Sequence, residues 1–374
     1  MKVLVVIGTR PEAVKQAPVV HALSASPGVT TSVCLTAQHR GMLDEAIASF
    51  RLPVDYDLDL MRPGQTLTHV AVRVLEGIDA LLAKDPHDWV LVQGDTTTSM
   101  AAAQAAFHRG VRVGHVEAGL RTWNVREPFP EEWNRRAIDA LADLAFAPTE
   151  QARENLLAER VPPERILVTG NTAIDALQWM VRQPAPPPPK GLETLDATRP
   201  LVLVTAHRRE SFGEPLERVC RALATLAGRN GKSGVSIVYP VHPNPNVRSA
   251  VARHLEGRPN VHLLEPLDYA RFVDLMKRAH LILTDSGGIQ EEAPGLGKPV
   301  LVLRDRTERP EAIAAGTAIL VGTEYDRIVG EVDRLMADPD AYRAMAVARN
   351  PFGDGHAAER IVEALHAAGA GAPR

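Results

Sequence analysis

Several acids, a histidine and a glycine turn stand where hydrophobic runs of this chain end, and their types suit chemistry on a phosphorylated ligand. The clearest case is the stretch from Leu281 to Val302, LILTDSGGIQEEAPGLGKPVLV. Its apolar run stops at Asp285, and Ser286, Gly287 and Gly288 lead into a segment that reads as helix. A strand whose carboxyl end opens through small residues into a helix leaves backbone N–H groups unpaired, and the helix dipole adds to their pull on an anion. The stretch is therefore expected to seat a phosphate. Glu292 follows Asp285 by about two helical turns, within reach of a ribose attached to that phosphate. The competing reading is a turn whose glycines serve only close packing, with a solvated Glu.

Three other carboxylates occupy comparable places. Asp95 follows WVLVQG and precedes TTTS, so it is either a catalytic acid or the cap of the next helix. Glu117 ends VGHVE with no helix to cap and reads as functional. Glu131, in FPEEW, is a proton-transfer group or a first-turn acid favouring a helix dipole. Three carboxylates in one site are costly unless cations or shared protons compensate, so their joint occurrence favours function. Arg10 and Lys15, after the first apolar run, and His207-Arg208-Arg209 add cations to the set, the latter suited to a diphosphate. Arginine offers a planar fork for a diphosphate, and histidine changes protonation near neutral pH. A surface ion-pair network is the alternative for that cluster. His242, in YPVHPNP, reads as rigid loop first and site second.

These residues need strands to present them. Lys2 to Ile7 is a continuous apolar run of the kind buried on both faces of a parallel sheet, and Pro11 suits the start of the following helix. The alternation continues through strands at 30–36, 89–92 and 111–116, with helices at 41–50, 67–83 and 97–109. A charged loop, EAGLRTWNVREPFPEE, follows, then a helix near 133–141. Further strands are expected at 201–205, 235–239, 261–264, 281–284, 300–303 and 318–321. In open parallel sheets ligands lie off the carboxyl ends of strands, which is where Arg10 with Lys15, Asp95, Glu117, His207, His242 and the Asp285–Gly288 turn fall. The run Pro184 to Pro189 is incompatible with helix or central strand and reads as a stiff loop.

At 374 residues the chain exceeds one average core, so two domains are expected. A net charge of -4 offers no general attraction to nucleic acid or anionic membranes. Cys34 and Cys220 form no metal or disulfide pattern and read as buried thiols of a reducing compartment. No apolar run approaches the roughly 20 residues of a membrane helix, and the N-terminus does not read as a signal peptide, so a cytoplasmic protein is expected. Metal spacing, a dinucleotide fingerprint and a Gly-Lys-Ser/Thr phosphate loop are all missing from the sequence, so no metal or other cofactor is expected.

Read together, GTRPEAVK (8–15), TAQHR (36–40), VQGDTTT (92–98), HVEAGLRT (115–122), PFPEEWNR (128–135), TGNTAIDAL (169–177), AHRRE (206–210), DSGGIQEEAP (285–294) and TERPEA (307–312) resemble the non-hydrolysing UDP-N-acetylglucosamine 2-epimerases along essentially the whole chain. The resemblance implies an α/β fold of two Rossmann-like doubly wound domains (GT-B type) with the active site in the interdomain cleft. The domains would be 1–170 and 171–354, with a C-terminal helix (355–374) packing back on the first. It implies interconversion of UDP-GlcNAc and UDP-ManNAc without a cofactor, by a homodimer. By motif, Asp95, Glu117 and Glu131 match the catalytic acids and His207 the active-site histidine. Arg10, Lys15, Phe272, Ser286, Gly287, Gly288, Glu292 and Arg309 match positions around the UDP. Leu267 stands where some relatives place a Gln near the nucleotide. Gly41 and Gly64 replace a Gln and an Arg through which some relatives bind an activating second UDP-GlcNAc, so that activation is expected to be weak or absent. Rival readings are a hydrolysing relative that releases free sugar, a glycosyltransferase of the same architecture, and a nucleotide-sugar sensor.

Overall fold

A computed structural model describes residues 1–36, 40–60, 62, 64–229 and 234–369. Ala37, Gln38 and His39 of the TAQHR motif, and residues 370–374 of the expected final helix, lie outside the described residues. The chain forms two compact units, Met1–Trp179 with Phe352–Arg374, and Met180–Pro351.

The first unit runs β1 (Lys2–Ile7), α1 (Arg10–Ala25), β2 (Thr30–Leu35), α2 (Arg40–Phe50), β3 (Tyr56–Asp57), α3 (Leu67–Lys84), β4 (Trp89–Gln93), α4 (Thr97–His108), β5 (Arg112–Val116), α5 (Glu131–Leu141), β6 (Leu144–Ala147), α6 (Glu150–Ala158), β7 (Ile166–Val168) and α7 (Thr172–Val181). Its strands pair in parallel in the order β3-β2-β1-β4-β5-β6-β7. The chain fills one side from β1 out to β3, then returns to the other side of β1 with β4. That reversal is the switch point at which ligands bind in doubly wound sheets, and the turns after β1 and β4 flank it. Beneath one face, Leu4, Val6, Val90 and Val92 pack with Val74, Ile78, Ala102, Ala106 and Ile138. Each Val, Leu or Ile so buried contributes about 1.5–3 kcal/mol.

The second unit runs β8 (Leu201–Thr205), α8 (Glu214–Ala227), β9 (Ser236–Pro240), α9 (Pro245–Leu255), β10 (Val261–Leu264), α10 (Tyr269–Arg278), β11 (Leu281–Thr284), α11 (Gly287–Glu292), β12 (Val300–Val302), α12 (Pro310–Ala314), β13 (Ala318–Leu320), α13 (Tyr325–Ala337) and α14 (Pro339–Ala346). Its strands are parallel in the order β10-β9-β8-β11-β12-β13, so the switch point lies between β8 and β11. Val202, Val204, Leu283 and Leu301 meet Leu216, Leu223 and Val332 in its core.

The chain divides at 179/180 instead of the expected 170/171. Trp179 explains the difference, since its ring stacks on His21 with centroids 5.3 Å apart and lies 5.1 Å from Phe50, holding most of α7 to the first unit. The last helix, α15 (Ala357–Gly369), also belongs there. Ser26 Oγ lies 2.7 Å from His366 Nε2, and Arg112 donates to the Ala368 carbonyl at 3.0 Å. Residues 184–189 carry neither helix nor strand. Among the described residues, no helix is long and apolar enough to cross a membrane.

Candidate active site

In the first unit the turn after β1 is built around Glu12. Its Oε2 accepts from the Gly8 and Thr9 amides at 2.6 Å each, and its Oε1 accepts from Thr96 at 2.5 Å and Ser99 at 2.8 Å. The side chain of Glu12 thereby ties the β1 turn to the β4 turn across the switch point. Burial raises its pKa, and these donors oppose that rise. Gly8 is required by space, because a Cβ would come within 2.7 Å of Thr98 Oγ1 and 2.9 Å of Thr36 Oγ1. Arg10 opens α1 just beyond, half-buried.

Asp95 does not cap α4. Thr96 does so, accepting from the Ser99 amide at 3.0 Å, which leaves the Asp95 carboxylate paired with Arg135 at 2.6 Å. Asn134 donates to the Asp95 carbonyl at 2.9 Å, so two residues of α5 fix this turn. Beneath it, His115 is fully buried with both ring nitrogens on acceptors, Asp139 Oδ1 at 2.6 Å and the Gly94 carbonyl at 2.7 Å. Burial would raise the Asp139 carboxyl, but His115 and Arg121 override it and hold the group below its usual value.

Glu117 follows β5 with a left-handed backbone, φ 67°, and is buried. Its carboxylate accepts from Lys15 Nζ at 2.5 Å, from Asn171 Nδ2 at 2.9 Å and from Gln93 Nε2. A helix first-turn acid reading describes where Glu131 lies, since it is the first residue of α5, which begins two residues before its expected start. Its neighbour Glu132 is fully buried and accepts from the Thr122 and Trp123 amides at 3.0 and 3.1 Å, shaping the charged loop.

In the second unit, Asp285 at the end of β11 reaches across to the turn after β8. Its Oδ2 accepts from the His207 amide at 2.6 Å and the Arg208 amide at 2.7 Å, and its Oδ1 lies 3.3 Å from His207 Nδ1. His207 stacks on His242 at 5.3 Å, so the YPVHPNP loop joins the cluster. Burial pushes the His207 pKa down, with the opposing pull of Asp285 too small to restore it.

Ser286 precedes α11, with its amide on Thr284 Oγ1 at 2.9 Å, and Gly287 and Gly288 form the first helical positions. The helix ends at Glu292 and passes into a 3-10 turn, Ala293–Leu296. Glu292 accepts from the Tyr269 hydroxyl at 3.3 Å. Arg309 pairs with Glu291 of α11, and its guanidinium carbon would lie 3.8 Å from a Cβ on Gly287, placing the cation against the glycine turn. Phe272 sits half-buried on α10. Structure thus gathers Asp95, Glu117, Arg10 and Lys15 around one switch point, and His207, Ser286, Gly287, Gly288, Glu292 and Arg309 around the other. Gly41 and Gly64 are exposed, and a Cβ at either would meet nothing within 4 Å. Among the described residues, no group of three His, Cys, Asp or Glu could hold a metal ion.

Sequence reasoning assigned no role to Glu12, Gln93 and Asn171. Each lies inside a quoted motif, yet nothing in its own sequence neighbourhood says that it turns inward to a partner in another segment. Glu12 alone left a trace, as the acid three residues after Thr9 in a capping box.

A sequence profile of the family described as UDP-N-acetylglucosamine 2-epimerase matches residues 21–366. The chain belongs to that family. It is 55% identical over 372 residues to the UDP-N-acetylglucosamine 2-epimerase of Escherichia coli K12, and 53% identical over 371 residues to that of Yersinia pestis, covering 98% of both chains in each case. The crystal structure of UDP-GlcNAc 2-epimerase from Neisseria meningitidis bound to UDP-GlcNAc superposes with a TM-score of 0.86 at 46% identity, covering 98% of this chain and 100% of that one. Membership in this 2-epimerase family agrees with two parallel α/β sheets of the GT-B type.

Proposed function

We propose that the protein interconverts UDP-GlcNAc and UDP-N-acetylmannosamine (UDP-ManNAc) by elimination and re-addition of UDP. The C2 hydrogen of the sugar is not adjacent to a carbonyl, so simple deprotonation is too costly. Loss of UDP from C1 as a carboxylate takes the C2 proton avoids that cost: the C1–O bond breaks, a C1–C2 double bond forms, and 2-acetamidoglucal results. UDP then adds back to C1 while a proton reaches C2 from the other face, inverting that centre. The route needs acid–base carboxylates, cations for the departing diphosphate and exclusion of water.

The residues meet these needs by type. Asp95, Glu117 and Glu131 are the proton-transfer set. His207 and Arg309 stand with the Ser286-Gly287-Gly288 turn to receive the diphosphate, Arg10 and Lys15 add positive charge, and Glu292 and Phe272 suit the ribose and base. The observation that carries this reading is the buried Glu117 carboxylate, oriented by Lys15, Gln93 and Asn171 beside the turn that bears Asp95. We assign the protein to the cytoplasm, where it would supply a precursor of surface polysaccharide. We also assign it to a homodimer, which would cover exposed apolar side chains such as Val72 and Phe107.

Incubation with UDP-GlcNAc, followed by separation of nucleotide sugars, tests the activity. The expected result is a stable mixture of UDP-GlcNAc and UDP-ManNAc with the UDP still attached. Accumulation of free N-acetylmannosamine with UDP would instead identify a hydrolase.

A further inference from the structure

We infer that Asn171 is a positioning residue for Glu117, and that the returning C-terminal segment is the brace that holds it in place. The assignment of Glu117 to proton transfer rests on the proposed function; the bracing geometry does not. Asn171 sits in the turn between β7 and α7 and is buried, 2% exposed. It works in three directions. Its side-chain Nδ2 donates to Glu117 Oε1 at 2.9 Å, its Oδ1 accepts from the Ala173 amide at 3.0 Å, and its own backbone amide donates to the Phe352 carbonyl at 2.6 Å. The last bond joins the turn to the stretch that leads into α15.

That stretch is clamped by α7 at two levels. At Asn171 the two backbones run so close that a Cβ on Gly170 would lie 3.2 Å from the Gly353 Cα, and both glycines have positive φ, a conformation that disfavours side chains. One helical turn later, on the same face of α7, Asp175 Oδ1 accepts from the Ala358 amide at 2.8 Å and so caps the start of α15. Arg360 of α15 adds a bond to the Thr169 carbonyl at 2.9 Å. The turn that carries Asn171 is therefore fixed by a segment about 180 residues downstream, and the fixed amide points at the carboxylate that Lys15 and Gln93 hold from other directions.

An asparagine in this turn also has an ordinary job, since Oδ1 on the Ala173 amide is a helix-capping interaction. Substitution separates the two. Asn171→Asp keeps the capping oxygen, removes the donor and sets a second carboxylate against Glu117. Asn171→Ser keeps a capping hydroxyl too short to reach it. For both variants we expect the fold to be retained, with the melting temperature lowered more in Asn171→Asp than in Asn171→Ser, kcat for UDP-GlcNAc reduced at least about tenfold and KM little changed. We also expect the acidic limb of the pH–kcat profile to move up by roughly one unit, because a donor to the charged form has gone.

A readout independent of turnover accompanies these. The ¹³C resonance of the Glu117 carboxyl carbon should titrate about one unit higher in Asn171→Ser than in the unaltered protein, and higher again in Asn171→Asp. If the carboxyl titration moves but the enzyme shows no epimerase turnover, the positioning role stands and the proposed reaction fails. Unchanged carboxyl titration in both variants, or turnover within threefold of normal in Asn171→Asp, overturns the inference.

Discussion

Glu117 pairs a backbone conformation that side chains disfavour with a carboxylate held by three donors from three segments. A non-glycine residue in the left-handed region costs about 1–2 kcal/mol, a strain that the surroundings must hold in place. Glu117→Gln keeps the size and removes one carboxylate of the proposed proton-transfer set, so epimerisation should fall roughly 10²–10⁴-fold in a coupled assay. UDP affinity, measured by calorimetry, should stay close to normal. Joint loss of UDP binding and turnover would instead make Glu117 a nucleotide-site residue. At this scale, strand-end position in the sequence picked out Asp95, Glu117, His207 and Asp285. It did not reveal that Asp285 spends one oxygen on the His207 and Arg208 amides, or that Thr96 relieves Asp95 of capping. Such partners come from residues far along the chain and leave no local pattern.

At the scale of elements, most strands and helices were legible because continuous apolar runs and Gly or Pro punctuation are local signals. The two-residue β3 was not, being too short for any period to show. The attachment of α7 is not legible locally, because it depends on Trp179 against His21 and Phe50, residues far along the chain. The join between α7 and α15 also carries a pH dependence. Burial pushes the Asp175 carboxyl up to about 6, outweighing the backbone amides of α15 that favour its charged form. The folded protein thus holds this proton more tightly than the unfolded chain does. The group's stabilising contribution is complete below the unfolded value of 3.8 and is lost as pH rises through about 6. Asp175→Asn, which keeps the oxygen facing Ala358 and cannot ionise, should therefore raise stability at pH 7.5 by about 1–3 kcal/mol and change little near pH 4. Urea titrations at the two pH values check this. A larger gain at the lower pH would reverse the assigned sign.

At the scale of the whole molecule, alternating strands and helices make two doubly wound sheets legible, and the strand orders give each sheet a switch point. In the proposed reaction each unit would bring a different part of the chemistry. The first carries Asp95, Glu117 and Glu131, and the second carries the serine-glycine turn with His207 and Arg309. An acid–base set without a diphosphate set could not expel UDP, and the reverse arrangement could bind a nucleotide without turning it over. The measurement that bears most directly on this joint account is epimerisation of UDP-GlcNAc in D2O, read by proton NMR and mass spectrometry of the UDP-linked product. Elimination and re-addition predict that UDP-ManNAc carries deuterium at C2, with a brief trace of 2-acetamidoglucal and UDP. A product that retains its original C2 hydrogen would contradict the account.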